Sequence, residues 1–395
     1  MRMLKAWLLV PLLVLAGSSG VAPLEVDQPA PQVVEALPAR LTDQEFWKLS
    51  TDMSEPNGFF RSENLVSNEH TFQYVVPALT RATKPGGIYL GVAPDQNFTY
   101  LLAVRPSMAF IVDIRRGNLL EHLMYKAVIE LSADRAEFLS RLFAKKRPPG
   151  LPQNATPRDL FRAFDQMSTS EDLYRQNVAD IEAELVKHHG FALSAEDLQQ
   201  LEGIYFSFFW DGPGIRYSSF PAGLGVRGFG GGRGYGGGGF GGNFPSYEEL
   251  ILQTDMDGVN RSYLASEESF RWLKRFEEKN LLVPVVGNFA GPKALRAVGR
   301  YVRDHGATVT AFYVSNVEQY LFQDNLFDEF ARNVATLPLD STSTFIRSVS
   351  TRFGYQGGGI GPDGRASALD PMRAFVRDFL AGKITTYFDV NARSK

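Results

Sequence analysis

The segment GGIYLGVAPDQNFTYLLAVRPSMAFIVDIRRGN, Gly86 to Asn118, leaves room for few folds. Ile88 to Leu90 is a short apolar strand, Gly91 opens a turn, and a helix starts near Asp95 or Gln96. AFIVDI is a second strand that carries an acid, Asp113, near its end. Two strands joined through a helix read as a parallel pair with a right-handed crossover, the unit of an α/β sheet. Gly91 has no Cβ, so the backbone can bend sharply and approach a ligand, and Ala93 is small enough to keep that approach open. The free N–H groups of the first helical turn face the same place. Ligands of open α/β sheets sit beyond the carboxyl ends of the strands, where strand order reverses. The candidate ligand-binding residues are therefore Gly91, Ala93, Pro94, Asp95, Gln96, Asp113, Ile114 and Arg115. A carboxylate at the place of Asp113 can accept both hydroxyl protons of a ribose. The competing reading for Asp113 is a salt bridge to Arg105 or Arg115.

The same alternation returns later in the chain. NLLVPVVGNFAG (280–291) is a continuous apolar run, as in a strand buried on both faces of a parallel sheet. PKALRAVGRYVRDHG (292–306) is a helix with proline at its first turn and glycine at its end. ATVTAFYVSNVEQYLF supplies a further strand rich in β-branched and aromatic residues. Asp370 is expected to cap a helix from Pro371, and ITTYFDV (384–390) to form a final edge strand. Upstream, LTDQEFWKLS places Thr42 and Glu45 at the spacing of a capping box. LLEHLMYKAVIELSADRAEFLSRLF has helical apolar spacing, with Leu120, Met124, Val128 and Leu131 on one face. The expected architecture is a doubly wound, mostly parallel α/β domain over residues 41–395, with a helical insertion at 146–210.

Two segments stand outside that pattern. MRMLK, an eleven-residue apolar run from Ala6 to Ala16, and GSSGVA have the three-part layout of a secretory signal over residues 1–22. The run is shorter than the roughly 20 residues that span a bilayer, so no stable membrane span is expected after cleavage. Export is the expected localisation, the cytoplasm the alternative, and the proline-rich residues 23–40 read as a linker. Within 211–244, GLGVRGFGGGRGYGGGGFGG has 13 glycines in 20 residues, too little side chain to offset its backbone entropy, so a flexible loop is expected. The loop has the look of an arginine–glycine–aromatic segment that contacts RNA, but two arginines in it and a net charge of -3 make no strong nucleic-acid signal. With no cysteine, disulfides, thiolate metal sites and a cysteine nucleophile are excluded.

The turn does not follow the dinucleotide fingerprint Gly-x-Gly-x-x-Gly, because it reads Gly91-x-Ala93-x-x-Gln96. Asp95 in the turn disfavours a diphosphate and suits a ligand with positive charge. YLGVAPDQN…AFIVDIRR resembles motif I and the acidic second strand of class I S-adenosylmethionine-dependent methyltransferases, Asp113 lying 18 residues after Asp95. The chain is similar to uncharacterised bacterial proteins of this Rossmann-like fold over roughly residues 45–145 and 245–350. The resemblance implies S-adenosyl-L-methionine as cofactor and Asp113 on its ribose. It implies that LLVPVVGNFAG is the fourth strand, ending at a catalytic or substrate-contacting Asn288, and that TAFYVSNVEQYLF is the fifth. A third strand would then fall at LSADRAEFL with Asp134. The acid usual two residues before the first glycine is Tyr89 here, and the second and third glycines are Ala93 and Asp95. The cofactor site is thus altered or has lost its ligand.

Polar residues elsewhere extend the candidate site. RSENLVSNEH (61–70) can form a lid, with Glu69 or His70 as general base and Asn68 as a ligand contact. Ser315, Asn316 and Glu318 lie at the end of a strand, where they can meet ligand or substrate. His188 and His189 stand beside a glycine at a helix end and read as helix-terminal charges, not metal ligands. TDMDGVNRSY lacks the glutamate of a calcium loop and reads as a turn. The expected function is an S-adenosylmethionine-dependent methyltransferase-like protein acting on an unknown substrate. The alternative is an exported, non-enzymatic binding protein that retains the fold.

Overall fold

Tyr89, Leu90, Phe110 and Val112 build adjacent parallel strands because each run is apolar on both of its faces, as a doubly covered sheet requires. The computed structural model describes residues 36–217, 219 and 244–395. The expected signal segment, most of the linker and most of the glycine-rich loop lie outside the described residues. The chain order is α1 (Asp43–Met53), α2 (Val76–Ala82), β1 (Ile88–Gly91), α3 (Gln96–Val104), β2 (Met108–Asp113) and α4 (Arg116–Glu130). Then come α5 (Arg135–Leu142), α6 (Pro157–Asp165), α7 (Glu171–Glu182), α8 (Ala195–Asp211), α9 (Tyr247–Leu252) and α10 (Glu267–Glu277). The second half holds β3 (Leu282–Val286), α11 (Ala294–Asp304), β4 (Val309–Ser315), α12 (Val317–Gln323) and α13 (Phe327–Ala335). It closes with β5 (Thr344–Ser350), β6 (Arg365–Pro371), α14 (Met372–Leu380) and α15 (Tyr387–Arg393). The capping box of Thr42 and Glu45 opens α1 as the spacing requires.

The sheet is six-stranded, in the order β3-β2-β1-β4-β5-β6. Its first four pairings are parallel and the last, β5 with β6, is antiparallel. The chain steps outward from β1 to β3 and then back to β4, so right-handed crossovers place the two sets of helices on opposite faces. Helices α3, α4 and α10 pack together in one layer, and α11, α13 and α14 follow one another in the other. Register aligns Leu90, Phe110, Phe312 and Phe345 in one row. Phe312 and Phe345 in that row meet Phe330, and Phe345 also meets Phe375. Among the described residues no helix is long and apolar enough to cross a membrane.

Several expectations are corrected here. LLVPVVGNFAG is the third strand, not the fourth, and it forms the sheet edge beside β2. Its outer side is covered by α1, where Ser50 donates to the Pro284 carbonyl at 2.6 Å. Proline within this run is tolerated because an edge position needs no outward N–H donor. TAFYVS is accordingly the fourth strand, central and next to β1. Asp134 caps α5 and belongs to no strand, its side chain accepting from the Glu137 N–H. ITTYFDV is no edge strand: Thr386 and Asp389 form a capping box that starts α15. Asp370 lies inside β6, one residue before its end, and pairs with Arg347 instead of capping α14. The strands Thr344–Ser350 and Arg365–Pro371 are additions that sequence reading passed over.

Candidate functional site

The carboxyl ends of β1, β2, β3 and β4 surround a cavity of about 150 Å³. From β1, Val92, Ala93 and Pro94 form part of its wall. Ala93 is left-handed at φ 63°, a conformation that costs a residue with a Cβ roughly 1–2 kcal/mol. Side chains beneath the turn hold it there. The Asn97 amide donates to the carbonyls of Val92, Ala93 and Pro94 at 2.9, 3.1 and 2.7 Å, and its oxygen accepts from the Tyr89 hydroxyl at 2.8 Å. His122 Nε2 lies 2.9 Å from the Ala93 carbonyl. Burial pulls the His122 pKa down to about 4, so a neutral ring donates from Nε2. Gly91 itself is not in the wall; a Cβ there would sit 2.0 Å from Asn97 Oδ1, so glycine is needed to seat Asn97.

Asp113, Ile114 and Arg115 line the cavity from the end of β2. Asp113 is buried, and Oδ1 accepts from the Arg115 N–H at 2.9 Å and from Arg115 Nε at 3.2 Å. Its Oδ2 lies 3.5 Å from Arg115 Nη2 and keeps accepting capacity. Arg115 also binds the Glu63 carbonyl and lies 3.5 Å from the Glu63 carboxylate. Of the two arginines considered for Asp113, Arg115 is the partner; Arg105 stacks over the Trp272 ring at 4.6 Å.

From β3 come Gly287, Asn288 and Phe289. The loop is fixed by Glu55, whose carboxylate accepts from the N–H groups of Asn288, Lys293 and Ala294 at 3.0, 2.9 and 2.9 Å. An internal acid thus occupies the start of α11, where an anionic ligand could otherwise bind. The strap from Ser54 to Gly58 continues across the strand ends: Glu55 N–H donates to Val286 and Gly58 N–H to Ile114, both at 2.8 Å.

From β4 and α12 come Tyr313, Ser315, Asn316, Tyr320 and Asp324. Ser315 is left-handed at φ 50°, so a strained non-glycine residue stands at the cavity at the end of β4 as well as two residues past the end of β1. Such outliers collect at functional sites. Over this end lies Glu69, which is buried at 3% exposure. Its carboxylate accepts from Gln96 Nε2 at 3.0 Å, the Tyr313 and Ser315 hydroxyls at 2.7 Å each, and the Ser367 hydroxyl at 3.3 Å. All four donors are neutral. With its oxygens so engaged, Glu69 anchors the 64–70 loop across β4 and β6.

The structure therefore gathers Ala93, Pro94, Asp113, Ile114, Arg115, Asn68, Glu69, Asn288, Ser315 and Asn316 about one cavity. Four other candidates sit elsewhere, besides Gly91. Asp95 points into the interior, where Tyr263 donates to it at 3.2 Å and burial raises its pKa to about 7. Gln96 is buried between Glu69 and Tyr100. His70 is outside the wall, near Glu249. Glu318, 1% exposed, binds Arg347 at 2.5 and 3.0 Å and does not reach the cavity. Sequence reading missed the aromatic part of the wall, Phe59, Phe60, Tyr217 and Tyr320. Phe60 meets Tyr320 edge-on at 5.1 Å, and the only hint of it was the Phe59-Phe60 pair ahead of the polar loop.

A family model described as a domain of unknown function, DUF7790, matches residues 64–152 and 245–364, more than half of the chain. The chain belongs to the DUF7790 family. The DUF7790 segments contain every cavity residue named above except Phe59, Phe60 and Tyr217, while α6, α7 and α8 fall in the gap between them. No curated protein matches the sequence.

Proposed function

We propose that the cavity binds a nucleoside-type ligand with positive charge, S-adenosyl-L-methionine, and that the protein is methyltransferase-like. One observation carries the reading: the β1 turn and Asp113 at the end of β2 open into the same cavity, beside the point where strand order reverses. Charge favours the same class of ligand. Among the described residues the wall holds Glu69, Asp113 and Asp324 against Arg115 alone, which disfavours a diphosphate and suits a sulfonium. In this reading Asp113 Oδ2 accepts from the ribose hydroxyls, the Val92–Pro94 backbone lies against the ligand, and Asn288, Ser315 and Asn316 face the acceptor. Methyl transfer from a sulfonium needs mainly alignment and exclusion of water, so no nucleophilic side chain is required.

Calorimetry of the full chain with S-adenosylmethionine and S-adenosylhomocysteine tests this. Saturable heat is expected with both, and the Asp113→Asn variant, if folded, should bind at least ~10-fold more weakly through loss of charge-assisted hydrogen bonds. Unchanged affinity in that variant would show the ribose assignment to be mistaken. Absence of heat at millimolar ligand would remove the cofactor.

A second reading, a binding module without catalysis, is favoured by one specific feature: the cavity's two buried carboxylates already serve in-chain partners, Arg115 and the four donors around Glu69. It also suits export, since S-adenosylmethionine is a cytoplasmic metabolite. N-terminal sequencing of the native protein separates the two settings, an intact Met1 favouring the enzyme and a start near residue 22 the module.

A further inference from the structure

We propose that Glu184, His188 and His189, completed by Glu130, form a site for a divalent cation of the zinc class. It stands at the far end of α4 from the cavity, about 20 Å along the helix axis from Arg116.

After α7 the helix widens into a π-turn, Ala183–His188, closed by the bond from the His189 N–H to the Glu184 carbonyl at 2.9 Å. Such widenings often mark functional positions. Here it aligns Glu184 with His188, whose Nδ1 lies 2.8 Å from Glu184 Oε1. His189 Nε2 lies 3.6 Å from the same oxygen and 2.7 Å from Glu130 Oε2. One ligand atom from each of Glu184, His188 and His189 lies within 4.8 Å of the others. A tetrahedral zinc with bonds of about 2.0 Å has ligand-to-ligand edges of about 3.3 Å. The 2.8 and 3.6 Å edges bracket that value, and the Glu130 contact needs an opening of only about half an ångström to meet it.

The surroundings are those of a held ligand set. His189 Nδ1 is 2.7 Å from Asp43 Oδ1, the carboxylate-to-imidazole contact that orients a metal-binding histidine from behind. Asp43 is fixed in turn by Asn280 at 2.8 Å. The His189 ring stacks on Phe191 at 5.0 Å and 8°, so Nε2 stays aimed at the two glutamates. Lys126 holds the other Glu130 oxygen at 2.6 Å and leaves Oε2 to the site. The side chains of His189 and Glu130 are 9% and 7% exposed and that of His188 73%, giving a buried base with an open side for ion entry. Two imidazoles and two carboxylates suit zinc and are poor ligands for magnesium or calcium. The ion takes the place of the proton between His189 Nε2 and Glu130, and ties α1, α4 and the helical insertion together.

The test is equilibrium dialysis of untagged, chelator-treated full-length protein against micromolar zinc, with metal counted per chain and the melting temperature recorded. With five histidines and no cysteine, background sites are few. One retained zinc per chain and a raised melting temperature are expected, with no rise from magnesium or calcium. His188→Ala changes an exposed side chain and should leave the circular dichroism spectrum intact while weakening zinc at least ~10-fold; Asp43→Asn should weaken it by ~10–100-fold. No zinc retained by the wild type, or equal retention by His188→Ala, would overturn the site and leave an imidazole ion pair alone.

Discussion

Ala93 shows how much one residue can hold. Its left-handed backbone is the shape a glycine adopts freely, yet the chain places a methyl group there, at the cavity wall. Asn97 and His122 keep the turn closed from below. Ala93→Gly should therefore raise stability by about 0.5–1 kcal/mol, the relief of strain exceeding the added freedom of the unfolded chain. Urea melts measure this, and ligand affinity should not fall. A loss of stability would mean that the packing of the Ala93 methyl against the core outweighs its strain. Gly91, two residues earlier, was legible as a required glycine, but for a different reason from the one found. It gives way to Asn97 from α3, not to a ligand.

At the scale of elements, the antiparallel end of the sheet is tied by charge. Arg347 of β5 binds Glu318 of α12 at 2.5 and 3.0 Å and Asp370 of β6 at 2.5 Å, all about 1% exposed. Arg393 of α15 joins Asp370 at 3.3 Å. Removing the central cation strands two buried carboxylates, so Arg347→Met should destabilise by about 3–5 kcal/mol. Denaturant midpoints test it; a loss under about 1 kcal/mol would mean the carboxylates find water or Arg393 suffices. This network also explains why Glu318 was misjudged: a polar residue just past a strand reads equally as a ligand contact or as half of an ion pair whose partner lies 29 residues on. Pro284 was the one local clue that LVPVV lies at the sheet edge, and the continuous apolar run around it outweighed that clue.

For the molecule as a whole, buried acids set the pH response. Burial raises Asp95 to about 7 and Glu277 to about 8, from ordinary values of 3.8 and 4.5. In the unfolded chain both ionise at their ordinary values, so between about pH 4 and 7 the unfolded state binds fewer protons and stability falls as pH rises. The contribution of Asp95 is complete below about pH 4 and lost as pH passes its folded value. Asp134 and Asp255 are lowered and act in the opposite sense, gaining below the same window; burial opposes them, and the Arg147 side chain and the Val259 N–H respectively are the largest stabilisers of charge. Asp95→Asn keeps an acceptor for Tyr263 and removes the ionisation. It should match the wild type near pH 4 and exceed it by as much as ~4 kcal/mol at pH 8. Urea unfolding at the two pH values checks this, and equal differences at both would refute the linkage.

Local chemistry was readable directly from the chain. Apolar runs of strand length, the Gly91 turn, the capping box at Thr42 and the acid closing β2 all depend on neighbours within a few residues. Such features survive in any tertiary context because backbone sterics and short-range hydrogen bonds set them. The order of the strands, the clamp of Arg115 on Glu63, the seating of Glu69 on Tyr313 and the meeting of His189 with Asp43 do not. These join residues 52, 244 and 146 positions apart. Their partners are chosen by which surfaces the packed sheet and helices bring together, and no local pattern encodes that choice.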